Sequence, residues 1–164
     1  MKKSILSIVL YIIFTSQIQS HVEHYKDFNS LKYELFRNDK LIGYHNYEFE
    51  RKDNILKVES FIKFKIKKMG VDLYSYDAVS LEKYRNNQLI KFSSTTKQNK
   101  KNKNTEINFD KEKNHLIITG SENQLTAPNN YSVGTWWNHE IVQAKAQISA
   151  VSGRIIEQKV TFLG

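Results

Sequence analysis

The stretch that decides the fold is ILKVESFIKFKIK, residues 55–67. Apolar and charged side chains alternate along it. The apolar set is Leu56, Val58, Ile62, Phe64 and Ile66, and the charged set is Lys57, Glu59, Lys63, Lys65 and Lys67. A period of two places one set against a core and the other in water, as in a half-buried β-strand. The stretch therefore predicts a sheet with one packed face and one solvated face.

Similar runs lie on both sides of this stretch. Turn clusters rich in Asn, Asp and Lys separate aromatic and β-branched runs from LKYELFR at residues 31–37 to HLIIT at residues 115–119. This spacing favours consecutive antiparallel strands. The sequence predicts an all-β fold, an antiparallel meander forming a curved sheet or a partly open barrel. One short helix is predicted near residues 138–146, because Asn138 can act as its N-cap and apolar residues follow at helical spacing.

Several predicted strands carry large side chains on both faces. In residues 72–84, Tyr74 and Tyr76 share a face, while in residues 41–49, Tyr44 and Tyr47 fall on opposite faces. A concave face lined by aromatic residues is typical of folds that hold one apolar ligand. On this basis the predicted ligand-binding residues are Tyr33, Tyr44, Tyr47, Tyr74, Tyr76, Trp136 and Trp137.

Both tryptophans stand in SVGTWWNHE, residues 132–140. Adjacent side chains point in different directions, so one ring can plug the end of the fold while the other forms a ligand-facing lip. We expect Trp137, next to the Asn138 cap, to be the plug and Trp136 to be the exposed ring. A catalytic role for His139 and Glu140 is the third reading. Neighbours on a helix point about 100° apart and no companion group is evident, so no catalytic residue is predicted.

The first twenty residues predict a secretory signal peptide, residues 1–20. Lys2 and Lys3 precede an apolar run, and Ser20 is a plausible cleavage position; an uncleaved anchor is the alternative. Cleavage leaves residues 21–164 as a single β-rich domain. The chain contains no cysteine, which excludes disulfides and thiolate metal sites. An exported chain without disulfides fits a bacterial periplasm, with at most peripheral membrane contact.

The chain is basic, with a formal net charge of +8. Four lysines, Lys97, Lys100, Lys101 and Lys103, lie in KQNKKNKN at residues 97–104. Basic patches attract nucleic acid or anionic membranes, but nucleic-acid binders interleave such charges with stacking aromatic residues. The chain has none between Phe92 and Phe109. The stretch is therefore predicted to be a solvated turn between two strands, and no nucleic-acid partner is expected.

Histidines offer the remaining chemistry. After cleavage, His21 would begin the mature chain, with His24 close behind, and a terminal amine with imidazoles can chelate copper or nickel. The arrangement resembles that of copper-brace oxygenases, but nothing else in the chain does. We therefore predict no cofactor and no dedicated metal site. The chain also lacks a Ser-His-Asp order, a phosphate-binding glycine loop and a convincing carboxylate pair, which favours a non-enzymatic protein.

Three stretches carry a family resemblance: LKYELFRNDKLIGYHNYEFE at residues 31–50, WWN at residues 136–138 and SGRIIEQKVTFLG at residues 152–164. Together they resemble a bacterial family of exported domains of unknown function that has a Tyr-rich opening hairpin and a Trp-Asn motif. The resemblance implies a periplasmic antiparallel β-protein related to open, curved-barrel lipid-handling folds, without an assigned activity. Such domains usually continue with further strands, so a C-terminally truncated chain is expected.

The functional expectation joins these observations. We expect the aromatic concave face to bind an amphiphile or an apolar segment of an envelope protein. The alternative is a structural or assembly component of the cell envelope whose aromatic face is covered by further strands or by a partner, and a hydrolase comes third. No oligomeric state is predicted.

Overall fold

The computed structural model describes residues 27–121 and 123–161. The predicted signal peptide, the two histidines of the possible copper site, His21 and His24, and the last three residues of the chain lie outside these ranges.

The described part of the chain is an all-β fold, as predicted. Its main sheet has eight strands in the order β1-β2-β3-β4-β5-β6-β7-β8, and every neighbouring pair is antiparallel. These strands are β1 (Ser30–Arg37), β2 (Lys40–Lys52), β3 (Ile55–Lys68), β4 (Val71–Arg85), β5 (Gln88–Gln98), β6 (Lys101–Asp110), β7 (His115–Gly120) and β8 (Gln124–Pro128). The sheet is not closed into a barrel, since β1 and β8 form its two edges.

The predicted turn clusters are tight hairpins. Asn38 and Asp39 have φ of 48° and 59°, and Asn86 and Asn87 have φ of 49° and 63°. Two consecutive left-handed residues make the hairpin turn whose twist matches that of the flanking strands, and Asn and Asp tolerate this conformation better than other non-glycine residues. The turn chemistry in the sequence therefore sets the meander.

The lysine-rich stretch is less of a turn than predicted. Strand β5 continues to Gln98 and β6 begins at Lys101, so only Asn99 and Lys100 form the turn. Asn99 adopts φ of 55°, which lets two residues reverse the chain. Lysine is compatible with such a strand because its aliphatic stem can lie on the sheet while its ammonium group stays in water. Residues 97–104 are thus mostly paired β-structure.

The alternation in residues 55–67 is confirmed by burial. Val58 is fully buried and Ser60 is nearly so, while Lys63 and Lys65 are exposed. We call the side of the sheet that carries Val58 and its cross-strand neighbours the inner face. One row of this face runs through directly paired residues from β2 to β7. The row is Phe49, Val58, Glu82, Phe92, Ile107 and Ile118.

A C-terminal layer, which we call the covering segment (residues 131–157), packs on the inner face. It contains β9 (Ser132–Val133), β10 (Ala146–Ile148) and β11 (Ile155–Glu157), with β10 in the centre of a three-stranded sheet. Val133, Trp137 and Ile148 are buried in the same hydrophobic cluster as the apolar residues of that row. A Cβ at Gly120 would overlap the carbonyl oxygen of Ser152, so glycine permits the close approach of the two layers.

The predicted helix is present in a shorter form. It is a single 3₁₀ turn, His139–Val142, capped by Asn138, whose side chain accepts a hydrogen bond from the Glu140 amide at 2.9 Å. The expected length to residue 146 is wrong, because Ala146 already begins β10. Isolated short helices are marginal in water, so the pairing of β10 with β9 and β11 prevails.

Candidate functional site

The two adjacent tryptophans behave differently, as predicted. Trp137 is 1% exposed and Trp136 is 81% exposed. The Trp137 indole packs in T-shaped contacts with the rings of Phe49 and Tyr84, with centroid distances of 5.5 and 5.7 Å. Trp137 is therefore the plug that joins the covering segment to the sheet, and Trp136 projects to the surface.

Beneath Trp137 lies a buried carboxylate that sequence reasoning missed. Glu82, on β4, is 0% exposed. Its Oε1 accepts a hydrogen bond from the Trp137 indole at 2.9 Å, and its Oε2 accepts one from the Tyr84 hydroxyl at 2.6 Å. The Thr135 hydroxyl lies 3.5 Å from the same Oε2. We call these four residues the Glu82 cluster.

Burial and hydrogen bonding have opposite effects on the pKa of Glu82. Burial raises the pKa of Glu82 above its ordinary value, and the hydrogen bonds from Tyr84, Trp137 and Thr135 oppose that rise. Burial also raises the pKa of Tyr84, as does the charge of Glu82. Strand alternation could have revealed Glu82. It is two residues from Tyr84 on β4, so the two side chains lie on the same face of the sheet. The cluster ties the covering segment to the sheet.

The covering segment leaves part of the inner face open. Three rings on β3 and β4 stack there, with Phe64 between Tyr74 at 5.7 Å and Tyr76 at 5.3 Å. All three are partly accessible, and the Tyr74 hydroxyl accepts a hydrogen bond from the Gln98 amide at 2.8 Å. Tyr33 on β1 adds a fourth ring that is 44% exposed. We call Tyr33, Phe64, Tyr74 and Tyr76 the aromatic strip.

The structure brings together most of the predicted ligand-binding residues. Tyr33, Tyr47, Tyr74 and Tyr76 all lie on the inner face, as the strand pairings show. Tyr47 is buried below the strip, with its ring 6.3 Å from that of Tyr33. Tyr44 is directly opposite Lys63 on the outer face and is 50% exposed, so it does not join the others.

A small cavity with both apolar and polar walls lies between the aromatic strip and the covering segment. It has a volume of about 80 Å³, and Trp136 lies at its edge. His45, Ser60, Ser94 and Thr96 line it, and we call these residues the polar slot. The Ser94 hydroxyl donates to the carbonyl of Ala150, which fixes the inner wall of the slot.

His45 and Ser60 form the pair in this slot that most resembles catalytic machinery. Nε2 of His45 lies 3.0 Å from the Ser60 hydroxyl. Burial lowers the pKa of His45 to about 4, so the ring is neutral at pH 7 and is a weak base. Within the described ranges no carboxylate pairs with this ring to orient it. The pair is suited to hydrogen bonding with a ligand rather than to nucleophilic attack.

The His45 environment has a testable consequence for stability. The folded pKa of about 4 lies below the ordinary value of 6.5, so the folded state favours neutral histidine. This contribution is present above pH 6.5 and is lost as pH falls through the interval towards pH 4. In urea melts, we expect the unfolding free energy of His45→Gln to fall less than that of the wild type when the pH is lowered from 7.5 to 5. Equal pH dependence of the unfolding free energy for His45→Gln and the wild type would contradict this assignment.

The opposite end of the sheet holds a second, polar cleft of about 440 Å³. Amide side chains dominate its walls, among them Gln88, Asn129 and Gln143. Glu140 lines this cleft, whereas His45 lines the cavity at the other end. The carboxylate of the SVGTWWNHE motif is therefore not part of the His45 site.

Across residues 27–121 and 123–161, no group of three or more His, Cys, Asp or Glu side chains is placed to hold a metal ion. Over the same residues, no helix has the length and apolar character needed to cross a bilayer.

Comparison with known proteins gives one match. The sequence model of a family described as "Domain of unknown function (DUF6134)" matches residues 33–164. No curated protein and no solved structure matches the chain. The matched region contains every strand from β2 to β11 and most of β1, together with the Glu82 cluster. The chain therefore belongs to this family of domains of unknown function.

Proposed function

We propose that the open half of the inner face binds the apolar part of an amphiphile, and that the protein is a non-enzymatic binding domain. One observation carries this proposal: the covering segment buries the inner face around Val58 but leaves the aromatic strip accessible on the same face. Contiguous exposed apolar surface is uncommon on soluble domains and usually marks a binding surface.

The dimensions of the open face suit an extended chain. A row of directly paired and partly accessible inner-face residues runs from Leu35 on β1 through Phe64 and Tyr76 to Lys101 on β6. These strands are separated by five spacings of ~4.8 Å, or about 24 Å along the sheet. That distance is comparable with the length of an extended long acyl chain.

Trp136 and the polar slot add amphipathic contacts to this face. An indole combines a large apolar surface with one hydrogen-bond donor, which suits a boundary between acyl chain and water. Trp136 is largely exposed and contributes to the lining of the cavity that holds the polar slot. His45, which is partly accessible, can hydrogen-bond a polar atom of a ligand near this boundary.

We place this binding domain in the periplasm as part of the same proposal. The support is the basic, apolar and polar order of residues 1–20 and the absence of cysteine from the chain. The natural partner would then be a lipid or an apolar segment of an envelope protein, and not a nucleic acid.

The opening hairpin offers a matched pair of variants. Tyr33 and Tyr44 are 44% and 50% exposed and lie on opposite faces of the sheet. We expect monooleoylglycerol, at submicellar concentration, to change Trp136 fluorescence. Tyr33→Ser should weaken this binding by about fivefold to tenfold, the size of one lost contact residue. Tyr44→Ser should leave it unchanged.

Two further measurements make this test decisive. Trp136→Phe should remove most of the fluorescence change, and melts of every variant should stay close to wild type, because the three side chains are all exposed. Equal effects of the two tyrosine variants would overturn the assignment of the face. No binding at all would overturn the amphiphile proposal and favour an envelope-protein contact.

A further inference from the structure

The polar cleft at the other end of the sheet is lined by three separate parts of the chain. They are the turn between β4 and β5, the segment that joins β8 to β9, and residues 138–145. Amide side chains recur on all three: Asn87, Gln88, Asn129, Asn130, Asn138 and Gln143. We call this cleft of about 440 Å³ the amide cleft. Its volume falls within the range of small-molecule sites, roughly 300–1,000 Å³.

Hydrogen bonds hold the walls of the amide cleft in place. The Asn129 amide nitrogen donates to the side-chain oxygen of Asn114 at 2.8 Å, and that of Gln158 donates to the carbonyl of Ala144 at 2.8 Å. Asn138 is only 4% exposed, and its side-chain oxygen is held by the cap contact described above. Walls that are fixed in this way reduce the entropy lost when a ligand binds.

Other amide groups of the cleft are open to solvent. Asn87, Asn130 and Gln143 are exposed, one on each of the three walls. Each amide carries a carbonyl acceptor and two N–H donors. Donors and acceptors therefore surround the cleft, which suits a ligand with hydrogen-bonding groups on several sides. Tyr131, which is partly accessible, adds an aromatic ring to this lining.

Two charged residues line the amide cleft, and their charges are opposite. Glu140 is partly accessible and Lys145 is exposed. Among the described lining residues the formal charges therefore cancel. Binding sites for ions usually carry the complementary charge, so this balance favours an uncharged ligand.

We propose that the amide cleft binds an uncharged saccharide, at the opposite end of the sheet from the aromatic strip. A sugar hydroxyl both donates and accepts hydrogen bonds, and an amide side chain can satisfy both roles. The C–H groups on the face of a sugar ring can pack on the ring of Tyr131, whose hydroxyl can stay in contact with water. This site is separate from the amphiphile function proposed above.

Two alternatives fit the amide cleft less well. A peptide bound through its main chain would need an exposed strand edge, and β9, the strand in this lining, has two residues. Cleavage of a glycosidic bond uses two carboxyl groups, whereas Glu140 is the only carboxylate among the described lining residues. The arrangement favours binding of a saccharide without hydrolysis.

The test titrates the protein with two uncharged disaccharides that share one linkage, cellobiose and N,N′-diacetylchitobiose. We expect at least one of them to give saturable NMR shifts of backbone amides in residues 129–132 and 138–145. Gln143→Ala and Asn130→Ala should each weaken that binding by about fivefold, the size of one lost hydrogen bond. Both side chains are exposed, so urea melts of these variants should stay close to wild type.

The chain offers a matched control for each variant. Gln124 and Asn102 are exposed amides on the outer face, and Gln124→Ala and Asn102→Ala should leave disaccharide binding unchanged. Equal losses in the controls, or no binding of either disaccharide, would overturn the inference. A tetra-alanine peptide blocked at both ends tests the peptide alternative. If it binds the cleft as tightly as the disaccharides, the saccharide assignment is wrong.

Discussion

Replacing Trp137 with alanine should destabilise the protein by about 3 to 5 kcal/mol, the usual cost of removing a large buried aromatic side chain. The ring is 1% exposed and packs edge-on against Phe49 and Tyr84. Its loss leaves a cavity at the centre of the contact between sheet and covering segment. It also removes one hydrogen bond from the buried carboxylate of Glu82. Urea melts followed by far-UV circular dichroism measure this loss.

The neighbouring tryptophan is the control. Trp136 is 81% exposed, so Trp136→Ala should change the unfolding free energy by less than about 0.5 kcal/mol. The two variants remove the same side chain from adjacent positions, and the difference between them isolates burial. Similar losses for the two variants would contradict the assignment of Trp137 as the plug.

Replacing Glu82 with alanine should have an effect of comparable size, about 3 to 5 kcal/mol. The substitution leaves the Trp137 indole and the Tyr84 hydroxyl without their acceptor inside the core, and each unsatisfied buried donor costs about 1 to 3 kcal/mol. The removed side chain also leaves a cavity. Glu48→Ala, at an exposed glutamate on the outer face of β2, should cost less than about 0.5 kcal/mol.

The ionisation of Glu82 predicts the sign of a pH effect. Its folded pKa is raised, so its contribution to stability is fully present below the unfolded pKa of about 4.5 and is lost as pH rises through the folded value. Glu82→Gln cannot ionise, and its unfolding free energy should therefore fall less than that of the wild type as pH rises above about 4.5. A steeper fall in Glu82→Gln would contradict this environment.

Local patterns in the sequence were enough to predict the main sheet. The alternation in residues 55–67 fixed which side chains of β3 face the core, and the Asn-rich turns fixed where successive strands reverse. Both signals act over a few residues, since strand pleat and left-handed turn conformations are local properties of the chain. The separate fates of Trp136 and Trp137 followed from the same reasoning.

Predictions that depended on distant contacts were less complete. Strand alternation predicted that Tyr44 and Tyr47 lie on opposite faces of the sheet. It did not predict which of these two faces the covering segment packs on. The length of the helix near residues 138–146 was overestimated because β10 pairs with two strands that are remote from one another in sequence. The lysine-rich stretch was interpreted from composition, and the hairpin register that pairs Lys101 with Gln98 and Lys103 with Thr96 was not visible in the sequence.

The sequence by itself determined the all-β meander, its turns, the inward phase of β3 and the contrast between the two tryptophans, because each depends on side-chain periodicity or on the preferences of single residues. Only the tertiary structure decided which half of the inner face is covered. That choice depends on a return of some fifty residues from Glu82 to the covering segment, where Thr135 and Trp137 hydrogen-bond to the buried carboxylate. These residues are far apart in the sequence, and no local periodicity relates them. Their hydrogen bonds form only when the covering segment packs on the sheet, so the sequence pattern does not predict them.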